Sequence, residues 1–241
     1  MRHLPAEFDA LLSARGRAVV SGRRPHFPGT SRFLADDGLL EPKLARGVLA
    51  LLDRAMNDVM TPMEDPIPPW TITGMQHDYG ELLPKTVRVG TATFSSRRSK
   101  GFQRAGEIGL HAMLKSESYF AFAQALAGRR LRRGWGTQVL CYRPGDYAGP
   151  HNDHHPEDPD ARDGYTDLHL TFCTDAVAAQ SLVYERDGHF SEERSVVTVG
   201  GVTCYRLPFW HFTTPLRAKP KRDRHARRWV VLGTFLDARA R

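Results

Sequence analysis

The stretch Thr137–Asp153, TQVLCYRPGDYAGPHND, decides how the rest of the chain is read. Gln138-Val139-Leu140-Cys141-Tyr142 is β-forming, and Pro144-Gly145 then turn the backbone. His151 and Asp153 follow with one residue between them. On an extended segment, residues i and i+2 point to the same side, so one imidazole and one carboxylate reach the same point in space. Alone this pair is a weak signal. His154, His155, Glu157, Asp158 and Asp160 crowd the same segment, as they would in a polar surface loop.

The signal strengthens downstream. His211 stands 58 residues after Asp153, in LPFWHFTTPL, among Phe209, Trp210 and Phe212. These neighbours suit a strand edge that faces a core. Two His and one carboxylate on one face of an octahedral ion leave open positions for a bidentate cosubstrate and O₂, as a non-haem Fe(II) oxygenase requires. His151, Asp153 and His211 are therefore the candidate ligands. Further on, Arg228 opens RWVVLGTFL, a strand by composition. A guanidinium at the mouth of a β-sandwich suits a bidentate grip on a carboxylate. Arg227 competes with it, because strand alternation lets only one of the two point inward.

Around this centre, β-like runs cover Gly136–Tyr142, Leu168–Thr174, Ser181–Glu185, Val196–Val199, Val202–Arg206 and Trp229–Leu236, with turn residues between them. Such spacing predicts a sandwich or barrel rather than βαβ units. Earlier in the chain, Val87–Phe94 alternates like a strand. A short helical stretch is expected near Glu7–Ala14. A helix is expected after Pro42, where Leu44, Val48, Leu51, Ala55 and Val59 recur at helical spacing. Thr61–Trp70 is Pro-rich and is expected to end regular structure. A second helical region spans Ala105–Ala127, broken near Ser116 and ended by Gly128. The expectation is a mainly β (α+β) single domain over 1–241, with a helical support region at 1–134 and a sheet core at 135–238.

The composition is that of an ordinary globular protein, 41% hydrophobic and 25% charged. No apolar run approaches the ~20 residues a membrane span needs. The N-terminus lacks an apolar h-region and carries Glu7 and Asp9, so no membrane role and a cytoplasmic setting are expected. Cys141, Cys173 and Cys204 are odd in number, widely spaced and apolar in context. They read as core residues in a reducing compartment. The formal charge of +7 favours an anionic substrate or partner. Much of the excess lies in Arg217–Arg228, where Asp223 is the only acid. Pro220 and the like charges predict an extended, mobile loop there, able to act as a lid or to steer an acidic substrate through Arg217, Lys219, Lys221 and Arg222.

Together these residues resemble the Fe(II)/2-oxoglutarate-dependent dioxygenase superfamily, in particular its prolyl-4-hydroxylase-like branch. The resemblance rests on Gln138-Val139-Leu140-Cys141-Tyr142, Gly145 and Pro150-His151-Asn152-Asp153. It continues through Gly201-Val202-Thr203-Cys204-Tyr205, His211-Phe212-Thr213-Thr214-Pro215 and Arg228-Trp229. It covers about Gln138–Asp237. Two departures stand out. A tyrosine expected at 148 is displaced to Tyr147. The gap from His211 to Arg228 is 17 residues, longer than usual, which leaves Arg227 and Arg224 as alternatives.

The resemblance implies a double-stranded β-helix (jelly roll) core with packed N-terminal helices. It implies Fe(II) on His151, Asp153 and His211, and 2-oxoglutarate held by Arg228 and Tyr142, with Thr171 touching it. Oxygen is then consumed, 2-oxoglutarate becomes succinate, and a C–H bond of a peptide residue, amino acid or small metabolite is hydroxylated. His169 shares the inward face with Thr171, as a substrate contact or a hydrogen-bonded core histidine. His154 and His155 are loop residues or substrate contacts.

Asp153 speaks against the related halogenases, which lack that carboxylate. Thr234 stands where the nucleic-acid repair branch places a second arginine. The alternatives from other classes are a cupin-like metal oxygenase or isomerase without 2-oxoglutarate, which would not need Arg228, and a nucleic-acid-binding protein built on the basic run. The run has no interleaved aromatics or reader motif, so nucleic acid is not the expected partner.

Overall fold

Serines start three of the helices. Ser13, Ser99 and Ser116 each accept a hydrogen bond from the backbone N–H three residues on, at 3.1 Å in every case. This satisfies donors that a first helical turn leaves without partners. In the computed structural model, which describes residues 1–22, 32–67, 86–94, 96–153 and 164–238, these caps open α1 (Ala14–Val20), α3 (Lys100–Glu107) and α5 (Glu117–Ala127). The first helix thus lies later than its composition suggested, beyond a 3₁₀ turn at Phe8–Leu11, because Ser13 is the cap.

Helix α2 (Pro42–Ala55) begins on proline and buries Ala45, Val48, Leu51, Leu52 and Ala55 along one stripe. The region read as 105–127 is three helices. It breaks at Ser116 as expected, and again at Gly109, whose φ of 81° separates α3 from α4 (Leu110–Lys115). Gly128, at φ 63°, ends α5. No helix among the described residues is long and apolar enough to cross a membrane.

Thirteen strands are described. They are β1 (Phe33–Asp36), β2 (Thr61–Pro66), β3 (Thr86–Thr93), β4 (Leu131–Tyr142), β5 (Tyr147–His151), β6 (Tyr165–Cys173), β7 (Val177–Ala179), β8 (Ser181–Arg186), β9 (His189–Ser195), β10 (Val199–Leu207), β11 (His211–Thr213), β12 (Arg217–Ala218) and β13 (Arg228–Asp237). Eleven join one antiparallel sheet in the order β1-β10-β6-β13-β4-β3-β5-β11-β8-β9, with β2 on β3. The sheet curls at β3, which pairs with β4 through Gly90–Thr93 and with β5 through Val87 and Arg88. The result is a curled antiparallel sheet that makes a jelly-roll frame, as expected.

Three expectations need correction. Thr61–Trp70 does not end regular structure: β2 occupies Thr61–Pro66 and pairs with β3 along its length, with residues 68–70 outside the described set. The N-terminal portion is not only helical support, since β1, β2 and β3 belong to the sheet. The basic run is not a free loop. Arg217 and Ala218 pair with Ala179 and Val177, Lys219 N–H donates to Ala176, and a 3₁₀ turn at Asp223–His225 leads to buried Ala226. Its charged ends reach solvent while its backbone is pinned by hydrogen bonds.

Alternation on β13 divides the interior. Trp229, Val231 and Phe235 join the cluster shared with the helices, and Trp229 Nε1 donates to Asp53 of α2 at 3.3 Å. Arg228, Val230, Leu232 and Thr234 face the opposite way, into a cavity. The neighbours follow suit. Val139 and Cys141 of β4, and Leu168, Leu170 and Phe172 of β6, turn to the helices. Gln138, Leu140, Tyr142, Asp167 and His169 turn to the cavity. The three cysteines are free and buried.

Candidate metal centre

Strands β5 and β11 lie side by side with His151 opposite His211. The two rings sit 4.4 Å apart. His151 Nδ1 is 2.6 Å from the carbonyl oxygen of Gly149, and His211 Nδ1 is 2.7 Å from that of Phe209. A carbonyl only accepts, so each Nδ1 carries the proton and each Nε2 keeps its lone pair for a metal. Both Nε2 atoms face Asp153, at 3.4 and 3.6 Å from its carboxylate oxygens. One ligand atom from each residue falls within 4.8 Å of the others. Burial, with His151 beside it, holds His211 down at about 4, so its imidazole is neutral at physiological pH, as a ligand must be.

Asp153 reaches this point by an unanticipated route. It lies beyond the end of β5 with φ 54°, in the left-handed region, so the shared side does not come from simple strand alternation. Non-glycine residues in this region cluster at functional sites.

Arg228 lines the same cavity. It is 2% exposed. Its Nη1 donates to Gln180 Oε1 at 3.2 Å, and its Nε is buried without a hydrogen-bond partner. Its guanidinium carbon lies 5.0 Å from the Tyr142 ring centre. No carboxylate among the described residues pairs with it. Arg227 points the other way, to Asn57 and Asp53, and Arg224 sits exposed in the 3₁₀ turn. Of the three arginines, Arg228 alone lines the cavity.

Tyr142 stands opposite Arg228 in the β4–β13 register. Burial raises its hydroxyl's pKa, partly opposed by Arg228 and by a hydrogen bond with Thr213, so it remains a donor.

The cavity holds about 380 Å³ and contains His151, Asp153, His211, Arg228 and Tyr142 in one wall system. Leu140, Val230, Leu182, Val87, Val89 and Met63 make it largely apolar. Thr171 is buried, with a partnerless hydroxyl, opposite Val230; it is near this space but not in its wall. His169 is in the wall. Ala148 lines it and Tyr147 does not, as a one-residue displacement on a strand requires. Arg217, Lys219, Lys221 and Arg222 are not part of it, which removes them from direct contact with anything bound inside. His154 and His155 lie outside the described residues.

Sequence reasoning missed two residues. Gln180 is 1% exposed, and its amide donates to the carbonyls of Asp146 and Thr214 at 3.3 and 3.1 Å, which aims its oxygen at Arg228. No local signal marks it. Asp167 is buried in the cavity wall, two residues before His169, so the period-two pattern that singled out His169 carries Asp167 too.

No family model matches the sequence, and no curated protein matches it. Solved structures do. An oxidoreductase of the 2OG-Fe(II) oxygenase family from Burkholderia pseudomallei superposes over 91% of this chain and 90% of its own, with TM-score 0.54 and 13% identity. A Trichoplax adhaerens prolyl hydroxylase, in complex with a hypoxia-inducible-factor oxygen-degradation-domain peptide fragment, superposes over 92% and 89%, with TM-score 0.50 and 12% identity. At this level of identity the likeness concerns the backbone frame, and the chain is built on the jelly-roll fold of these 2OG-Fe(II) oxygenases.

Proposed function

We propose that the chain is an Fe(II)- and 2-oxoglutarate-dependent oxygenase that hydroxylates a C–H bond of a peptide residue, an amino acid or a small metabolite. One observation carries this reading. A three-ligand cluster shares an apolar cavity with a buried arginine that has no counterion among the described residues. His151, Asp153 and His211 would hold the iron, which supplies oxygen activation when bound. Arg228 would receive the distal carboxylate of 2-oxoglutarate, with Tyr142 donating beside it and Gln180 holding the guanidinium in place. A metal jelly roll that does without 2-oxoglutarate has no use for such an arginine. The apolar walls keep bulk water from the reacting centre.

Iron and 2-oxoglutarate added anaerobically should produce a weak visible charge-transfer band, and admission of oxygen should release succinate. A protein that binds iron but gives neither band nor calorimetric 2-oxoglutarate affinity would refute the reading.

A further inference from the structure

We propose that Asp167, with His169 and Thr234 beside it, forms a subsite for an organic cation, so that the substrate carries a primary amine or a guanidinium. The inference deepens the oxygenase reading above and rests on it.

Asp167 is 7% exposed and lines the cavity. Thr234 donates to its Oδ1 at 2.6 Å. Its Oδ2 lies 3.8 Å from His169 Nε2, beyond hydrogen-bond reach, and that nitrogen is buried with no hydrogen-bond partner. Among the described residues, no Lys or Arg pairs with Asp167. A buried carboxylate with no Lys or Arg partner is as unusual as a buried guanidinium with no carboxylate partner, and among the described residues both occur in this one cavity.

Their placement separates their tasks. Arg228 lies opposite Cys173 in the β13–β6 register and Thr234 lies opposite Asp167, six residues along. At ~3.4 Å per residue their backbone positions stand roughly 20 Å apart along the strands, so the two side chains enter the cavity from different ends. A short dicarboxylate held by Arg228 and the metal ligands does not extend to Asp167. The Asp167 end is therefore left to the substrate. The charges agree. With the site loaded as proposed, a divalent iron and Arg228 balance Asp153 and the two carboxylates of 2-oxoglutarate. Among the described residues of the cavity wall, Asp167 is the charge that remains, and a cationic group on the substrate meets it. A ligand nitrogen bonded to Oδ2 also comes within reach of His169 Nε2, whose buried lone position calls for a partner. This reverses the expectation, drawn from the net charge, of an anionic substrate: the basic run that suggested one lies outside the cavity wall.

The test uses the full chain with Fe(II) and 2-oxoglutarate, kept anaerobic, and calorimetry with arginine, ornithine and 1,5-diaminopentane against citrulline, norleucine and glutamate. At least one cation should bind, and arginine should bind at least about tenfold more tightly than citrulline, which is near its shape without its charge. Asp167→Asn should weaken the bound cation by about tenfold or more while leaving Fe(II) and 2-oxoglutarate affinities unchanged. If that variant does not fold, Asp167→Ser takes its place, and the arginine-to-citrulline ratio in the parent decides independently of both. Binding by no cation, equal or tighter binding of the neutral and acidic probes, or cation binding that ignores Asp167 would overturn the proposal. Failure of the oxygenase reading looks different: the parent then shows no 2-oxoglutarate affinity, whatever the probes do.

Discussion

Replacing Arg228 by Met should pull stability and cosubstrate affinity in different directions. In the free protein Arg228 is a buried cation with one neutral hydrogen bond, to Gln180 at 3.2 Å, and no ion pair among the described residues. Keeping an ion out of water costs several kcal/mol even after relaxation. Methionine fills much of the same volume and needs no partner. Its cost is the lost partner of Gln180 Oε1, about 1–3 kcal/mol, set against release of the buried charge. The two largely offset, so the metal-free variant should unfold within ~1 kcal/mol of the parent, a shift of roughly 4 °C or less at this chain length.

Affinity has no such offset. The distal carboxylate of 2-oxoglutarate would be buried without its cation, at a cost of about 2–5 kcal/mol, or roughly 30- to 4,000-fold in Kd. Thermal unfolding of the metal-free protein reads the first quantity. Anaerobic titration of the charge-transfer band, with Fe(II) affinity measured in parallel, reads the second. A variant destabilised by more than ~3 kcal/mol would show that Arg228 is a structural residue. A change in 2-oxoglutarate Kd below about tenfold would show that the carboxylate binds elsewhere.

Three further outcomes are expected. Gln180→Ala should weaken 2-oxoglutarate about tenfold with Fe(II) affinity unchanged, because Arg228 keeps its charge but loses the bond that aims it; calorimetry with each ligand separates the two. His211 has its folded-state pKa lowered from 6.5 to about 4, so the unfolded chain binds the extra proton first. Stability of the metal-free protein is then present above pH 6.5 and is lost as pH falls toward 4, and His211→Gln should flatten that slope in urea melts taken across the window. Gly233→Ala places a Cβ 2.5 Å from the hydroxyl of fully buried Tyr119, against which α5 meets the sheet, and should cost about 1–3 kcal/mol in urea unfolding without altering metal affinity.

What the sequence determined by itself is local in origin. Cap serines, glycines at positive φ and a stripe of apolar residues act within one turn, so α2, α5 and the break at Ser116 could be read directly. Alternation acts over two residues, so β4, β6 and β13 were legible, and with them the inward set that contains His169; the pairing of His151 with Asp153 was read from the same rule, but Asp153 meets it through a left-handed turn beyond β5. Strands whose neighbours supply their reason were not. The polar hairpin strand β9 and the Pro-bearing β2 are held by β8 and β3 rather than by their own composition.

The tertiary structure decided the rest. Alternation offered Arg227 or Arg228, and only the packing of Trp229 against α2 chose which face of β13 meets the cavity. Gln180 gains its role from a residue 48 positions away, and Asp167 from one 67 away. The basic run looks mobile by charge, yet its backbone is secured by β7. Charge and propensity are properties of a residue, whereas a buried charge held by neutral hydrogen bonds alone is a property of everything around it. Two such charges, entering one cavity from different ends, appear only once the sheet has closed.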